Sequence, residues 1–148
     1  MKISKKCQYA LRSVFELSSR NRNEPIKTLD IARAQKISLR FAEVILNELK
    51  HGGFVVSKRG NEGGYTLSRS PDDLTVLEII EYIEGPISIS KEEINNNGDN
   101  MLFGNNAFNE LWKQANEALS DVFLNKTFAG LVKFEREKRN TYPPNYNI

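Results

Sequence analysis

Residues 37–67 read ISLRFAEVILNELKHGGFVVSKRGNEGGYTL, and the order of elements within this stretch decides the fold. Ser38 stands where a helix N-cap belongs, because its hydroxyl can accept from an N–H of the first turn. Ala42, Ile45, Leu46 and Leu49 follow at i, i+3, i+4 and i+7, the spacing of an apolar stripe along one side of a helix. Arg40, Glu43, Asn47 and Lys50 fall on the other side. Gly52 and Gly53 supply the C-terminal stop. FVV and YTL are short β-prone runs, and the residues between them include Gly60, Gly63 and Gly64. That pattern predicts a hairpin with a loop longer than two residues. Just upstream, TLDIARAQ (28–35) predicts a short helix with Thr28 as its cap and Leu29, Ile31 and Ala32 as its buried face. Two helices joined by a turn of a few residues make a helix-turn-helix. With a hairpin directly after them, the order is that of a winged helix-turn-helix.

The flanking sequence is helical. From Ser4, an N-cap, the chain runs SKKCQYALRSVFELSSRN, with Ala10, Val14 and Leu17 on one face and Leu11 and Phe15 beside them. NRNEP ends this helix, since the residue before a proline is driven out of the α region. In SPDDLTVLEIIEYIEGP, Thr75 and Glu78 fit a capping box. Val76, Ile79, Ile80 and Ile83 form the stripe, and Gly85 and Pro86 stop it. Helical patterning then lapses: seven of the fifteen residues 95–109 are asparagine. It resumes with Phe108, Leu111, Trp112, Ala115, Leu119, Val122 and Phe123, over about residues 107–125. This stripe is wide enough to face both its own domain and a second helix. TFAGLVKF (127–134) predicts a short closing helix, and RNTYPPNYNI an extended tail.

The 148 residues suit one domain with a real core, and 39% of them are hydrophobic. A single cysteine excludes an internal disulfide framework and fits a reducing cytosol. No apolar run approaches the roughly 18 residues of a membrane span. MKISKKCQYALRS lacks the apolar stretch of a signal peptide, so a cytoplasmic location and no membrane partner are expected. The net charge of +2 hides an asymmetry. Residues 1–70 carry 14 Lys and Arg against 6 Asp and Glu, whereas residues 71–148 carry 7 against 13. A basic half joined to an acidic half suggests that the basic one meets a polyanion. Enzyme chemistry has little to stand on. His51 is the one histidine and Cys7 the one thiol, in different motifs, with no phosphate loop and no metal-ligand cluster.

Polar side chains near the N-terminus of a recognition helix can reach base edges in the major groove. Here these are Ser38, Arg40, Phe41 and Glu43. Arginine chelates guanine, glutamate accepts from cytosine N4, and a ring meets a thymine methyl. The Ser38 and Thr28 hydroxyls can bond phosphate, and Lys6 joins them as a candidate DNA contact. The alternative for the helix is an ordinary solvated face. In KRGNEGGY, Lys58 and Arg59 sit at a narrow tip made by Gly60, Gly63 and Gly64, suited to a narrow, electronegative minor groove. Tyr65 would brace the hairpin against the body. The alternative is a plain turn whose glycines serve geometry alone.

SKKCQYAL, ISLRFAEVIL, NELKHGGFVVSKRGNEGGYTL and LEIIEYIEGPIS together resemble the IscR/NsrR/CymR superfamily of bacterial transcription regulators, in order and nearly without gaps to about residue 134. The resemblance implies a homodimer binding double-stranded DNA at a palindromic operator, as a repressor or other regulator. It implies a mainly α fold with a small β-hairpin wing. Residues 1–84 would form the winged helix-turn-helix domain, 85–106 a sensor-type loop, and 107–148 the dimerisation helix and C-terminal segment. The dimer contacts would come from Phe108, Leu111, Trp112, Ala115, Leu119, Val122 and Phe123. Ser38, Arg40, Glu43 and Arg59 match the family's DNA contacts.

In the cluster-binding branches, the loop before the dimerisation helix carries three cysteines that hold an iron–sulfur cluster. This loop has none, Asn106 and Asn109 stand before and within the ELW approach, and the first-helix ligand position holds Gln8. Amides are poor substitutes for thiolates. No cofactor and no metal are therefore expected. The resemblance is strongest to the CymR branch, which senses cysteine status through a partner enzyme, so the 88–106 loop is a candidate site for a partner protein or small effector. Cys7, in a first helical turn beside Lys5 and Lys6, has the setting of a lowered thiol pKa and is a candidate redox residue. The bland alternative for it is a small, half-buried packing residue. A competing reading of the whole chain is a winged-helix protein-interaction module with weak or no DNA binding.

Overall fold

A serine hydroxyl opens the first helix: Ser4 Oγ accepts from the Cys7 N–H at 3.1 Å, and α1 runs Lys5–Ser19. The computed structural model describes residues 1–20, 23–90 and 102–141. After α1 come α2 (Thr28–Gln35), α3 (Leu39–His51), β1 (Val55–Lys58), β2 (Gly64–Leu67), α4 (Val76–Glu84), α5 (Asn105–Leu124) and α6 (Phe128–Thr141). This is a winged helix-turn-helix with additional C-terminal helices. The core gathers Cys7, Ala10, Val14 and Leu17 of α1, Ile31 of α2, and Ile45, Leu46 and Leu49 of α3. Val55 and Leu67 of the hairpin and Ile79 and Ile80 of α4 complete it from the other side.

The strands pair antiparallel from Val55 opposite Leu67 to Lys58 opposite Gly64. Tyr65 also exchanges both backbone hydrogen bonds with Ile26, each at 2.9 Å. The segment before α2 thereby adds a third rung to the hairpin and fixes it to the body. The capping box is formed: Thr75 Oγ1 accepts from the Glu78 N–H, and the Glu78 carboxylate accepts from the Thr75 N–H at 2.9 Å. Burial pushes that carboxyl up, but the Thr75 donors and the Arg69 guanidinium outweigh burial and hold it below its usual value.

Three expectations need correcting. Lys27, not Thr28, is the N-cap of α2, and no side chain caps that helix. Thr28 is already helical, and Asp30 supplies the negative charge that favours a helix start. Leu29 is 40% exposed, because the buried arc of so short a helix reaches only Ile31 and Ala32. Third, α6 extends to Thr141 instead of stopping at 134. Its added turns are polar and are held by an i,i+4 pair, Glu135–Arg139 at 3.0 Å, and by Lys138 Nζ lying 5.5 Å from the centre of the Phe134 ring. The expected extended tail thus begins as helix, and its residues 142–148 lie outside the described residues.

The segment after α5 folds back into the first domain. Phe128 is fully buried in the main core, its N–H bonds the Leu74 carbonyl at 3.0 Å, and the Val76 N–H bonds the Lys126 carbonyl at 2.9 Å. Helices α1 and α6 pack together. The winged domain is thus completed by α6 from across α5. Replacing Phe128 by Ala should lower the unfolding free energy of the whole chain by about 3–5 kcal/mol, the usual loss for a buried ring. Urea titration followed by far-ultraviolet circular dichroism measures this, and an unchanged midpoint would make α6 peripheral.

Candidate nucleic-acid interface

The turn between α2 and α3 is set by Lys36, which takes a left-handed conformation at φ 53°. The Ile37 N–H then returns to the Ala32 carbonyl at 2.9 Å. Ile37, Ala32 and Ala42 bury one another beneath the turn, with Tyr9 against them. This small second core sets the angle at which α3 leaves. Ser38 caps α3, its Oγ accepting from the Phe41 N–H at 3.2 Å. Ala42, Ile45, Leu46 and Leu49 are buried as their spacing predicts. Arg40, Glu43, Asn47 and Lys50 are exposed on the opposite side. Phe41 sits at the flank of that face, edge-on to Tyr9 with ring centroids 5.6 Å apart.

The wing follows directly. Arg59 and Gly60 begin its loop, and the Gly63 N–H closes a turn onto the Gly60 carbonyl at 3.0 Å. Gly60 has φ 108°, which a side chain would resist. At Gly64 an added Cβ would lie 2.4 Å from the Ile26 carbonyl oxygen, so this glycine permits the rung that anchors the wing. Tyr65 is partly buried against the main core, which matches its expected bracing role.

Two basic side chains are paired against the body. Lys6 Nζ lies 2.9 Å from Glu48 Oε1, joining α1 to α3, and Arg69 pairs with Glu78. Lys6, a candidate DNA contact by sequence, is therefore engaged in the α1–α3 seam. Arg40, Glu43, Lys58 and Arg59 enter no ion pair among the described residues. They are the side chains that chain order places on the recognition helix and the wing.

Sequence reasoning missed the contacts that hold this surface from behind. The Tyr82 hydroxyl donates to the Glu48 carbonyl at 2.9 Å, and the backbone N–H and hydroxyl of Ser4 both donate to Glu84 Oε1, the former at 2.9 Å. The last turn of α4 thus holds the end of α3 and the start of α1. Nothing in local patterning announces either bond, since the partners are 34 and 80 residues apart.

On α5, Trp112, Leu119 and Phe123 turn partly inward, while Phe108, Leu111 and Val122 are exposed. Ala115 lies between them and is half-buried. Phe108 and Trp112 stack with centroids 6.2 Å apart. No residue of this 20-residue helix is buried by its own chain. Of the 88–106 segment, residues 91–101 lie outside the described residues. Asn106 and Asn109 fall within the start of α5, and Gln8 gives its amide to the Ile3 carbonyl at 3.1 Å.

Cys7 is not in a thiolate-favouring setting. It is wholly buried, and burial first, then the Glu84 carboxylate, push its pKa up to about 11. An iron–sulfur cluster does not fit these residues either, because the single thiol of the chain is enclosed in the core.

A capped, polar-faced α3 and an arginine-tipped, anchored wing define a winged helix-turn-helix transcription regulator. The chain belongs to the Rrf2 family, described as iron-dependent transcriptional regulators, whose model matches residues 3–133. It is similar to the HTH-type transcriptional regulator CymR of Bacillus subtilis, at 31% identity over 96% of this chain and 97% of the relative. It is also similar to IscR of Erwinia tasmaniensis, at 29% identity over 89% of this chain and 79% of that one. Among solved structures, B. subtilis CymR, described as the global cysteine regulator, superposes with a TM-score of 0.78 at 31% identity, covering 90% of this chain and 98% of CymR. IscR of T. potens superposes with a TM-score of 0.75 at 26% identity, covering 94% and 91%. The family is one of regulators, not enzymes, which agrees with the lack of a catalytic constellation in the sequence. No helix among the described residues is long and apolar enough to cross a membrane.

Alkylation of Cys7 by iodoacetamide at pH 7.4 should run at least roughly tenfold slower than that of a free thiol and accelerate on denaturation. Because the folded pKa is raised, the stability this thiol contributes is complete below pH 9.0 and is lost as pH rises towards about 11. Cys7→Ser should remove that alkaline slope in a stability titration. Free-thiol reactivity in the native protein would restore Cys7 as a redox candidate.

Proposed function

We propose that this chain is a cluster-free regulator that acts in the cytoplasm as a homodimer and represses transcription by occupying a palindromic operator. The observation that carries the DNA-binding part is the placement of charge: Arg40 and Glu43 on α3 and Lys58 and Arg59 on the wing are exposed and enter no ion pair among the described residues. Arg40 and Glu43 would read base edges from α3, and Arg59 would enter the minor groove from the wing. Ser38 and Thr28 would meet phosphates. The exposed side of α5 supports self-association, since Phe108, Leu111 and Val122 remain about half exposed in their own chain. Two-fold pairing of α5 would present two α3 helices and require a symmetric site.

A second contact is favoured by Leu102 and Phe103, which are 75% and 110% exposed just before α5. They support a partner protein or small effector at the 88–106 segment. The family resemblance to CymR makes a signal linked to cysteine supply the first to test.

Arg59→Ala and Glu43→Ala should leave the fold intact and each cost about 1–3 kcal/mol of binding to an operator selected from random duplexes. Affinity should fall steeply between low and moderate salt, and with a shallower slope for Arg59→Ala. Fluorescence anisotropy measures both; unchanged affinity and sequence preference in the two variants would overturn the site assignment. Leu111→Asp should shift the sedimentation coefficient from dimer to monomer and weaken operator binding in parallel. A wild-type chain that sediments as a monomer at micromolar concentration would remove the dimer.

A further inference from the structure

The exposed face of α3 is not uniformly polar. Its buried stripe, Ala42, Ile45, Leu46 and Leu49, defines the inward direction. With 3.6 residues per turn, the line diametrically opposite passes through Arg40, Val44 and Asn47, with Glu43 flanking it. Val44 is 58% exposed, in the middle of that line. It is one turn beyond Arg40 and three residues before Asn47. Phe41, by contrast, is at the flank and leans on Tyr9.

A β-branched side chain is a poor choice for an exposed helix interior. It loses rotamer freedom there, and its methyls face water. With 58% of it exposed, Val44 is only partly covered by its own chain. Contact with an apolar group on the ligand would offset both costs. The major groove of DNA offers one such group at base edges, the C5-methyl of thymine. The branched end of valine is short enough to sit against it while Arg40 and Asn47, on the same line, hydrogen-bond neighbouring bases.

We propose that Val44 is a specificity-determining residue that packs against a thymine methyl at one position of each operator half-site. The proposal rests on the DNA-binding reading above and adds a base identity to it. Val44 is exposed and belongs to neither buried cluster, so its replacement should leave the fold intact, and alanine is the better helix former.

The test uses the full chain and an operator selected from random duplexes. Each thymine is replaced in turn by deoxyuridine, which deletes only the methyl. The wild-type protein should lose roughly three- to tenfold in affinity at one symmetry-related pair of positions, the scale of one buried methyl contact. Val44→Ala should bind the thymine operator more weakly by a similar factor and bind the thymine and uracil versions equally. Val44→Ile should retain the discrimination. An undiminished thymine preference in Val44→Ala at every position, or no uracil penalty in the wild type, would overturn the assignment while leaving DNA binding itself standing. Failure to select any duplex would instead overturn the DNA-binding reading, and the role of Val44 with it.

Discussion

The outward chemistry of this molecule depends on the burial of four residues, Ala42, Ile45, Leu46 and Leu49, along one side of α3. Each large member contributes about 1.5–3 kcal/mol by leaving water. A rotation of the helix by one residue would take this stripe out of the core and turn Arg40 and Glu43 inward, where an unpaired charge is far more costly than an exposed methyl group is. The hydrophobic stripe therefore fixes the rotational setting of the reading face. The small cluster of Ala32, Ile37 and Ala42 sets its tilt by closing the turn at Lys36. What α3 presents to solvent is determined by what it hides.

The wing obeys the same logic with backbone instead of side chains. A two-stranded hairpin alone is marginal in water. Here it gains a third rung through Ile26 and Tyr65, and burial of Val55 and Leu67 ties its base to the core. Gly64 is needed because the Ile26 carbonyl passes where a Cβ would stand. Arg59 is thus carried on a short loop whose two ends are anchored. Its long side chain supplies adaptability, and the backbone beneath supplies position.

Much of this was legible before any coordinates. The caps Ser4, Ser38 and Thr75, the α3 stripe, the hairpin and the limits of α4 follow from local rules about spacing, capping and glycine, and they hold in the structure. The failures share a cause. Thr28 looks like a cap because threonine usually is one, but the backbone of Lys27 already takes the extended cap conformation. The polar end of α6 carries no apolar period, so its helicity rests on pairs such as Glu135–Arg139 that a hydrophobicity pattern does not register. Phe128 reads as part of a closing segment, and only the tertiary fold reveals it at the centre of the winged domain. For the candidate site, the pairing of Lys6 with Glu48 was not legible, because charge type says nothing about whether a partner lies within reach. Val44 is the opposite case: its place midway between Arg40 and Asn47 was available from helical spacing, but an apolar residue invites assignment to a core.

Position along the chain also bears on how a signal could reach α3. The last turn of α4, which ends at Glu84, leads into the segment between α4 and α5. Tyr82 of that turn bonds the Glu48 carbonyl near the end of α3, and Glu84 accepts from both the N–H and the hydroxyl of Ser4, the cap of α1. Glu48 in turn holds Lys6 of α1 by its side chain. The three helices therefore meet in a loop of contacts, α4 to α3, α3 to α1, and α1 back to α4. A displacement of the α4 terminus would have to break one of these bonds or carry both other helices with it. These bonds lie at the surface, where water can replace a lost partner, so they favour one arrangement of the three helices without locking it. A cluster would be one way to act on this arrangement, but the enclosed Cys7 leaves no thiol to hold it. Any other ligand that bears on residues 85–90 or on the start of α5 meets the same α4 terminus, through the chain itself or through Asn116, whose Oδ1 accepts from the Ile89 N–H at 2.9 Å. That link from the α4 terminus to the reading helix runs through Tyr82, Glu48, Lys6 and Ser4 and involves no thiol.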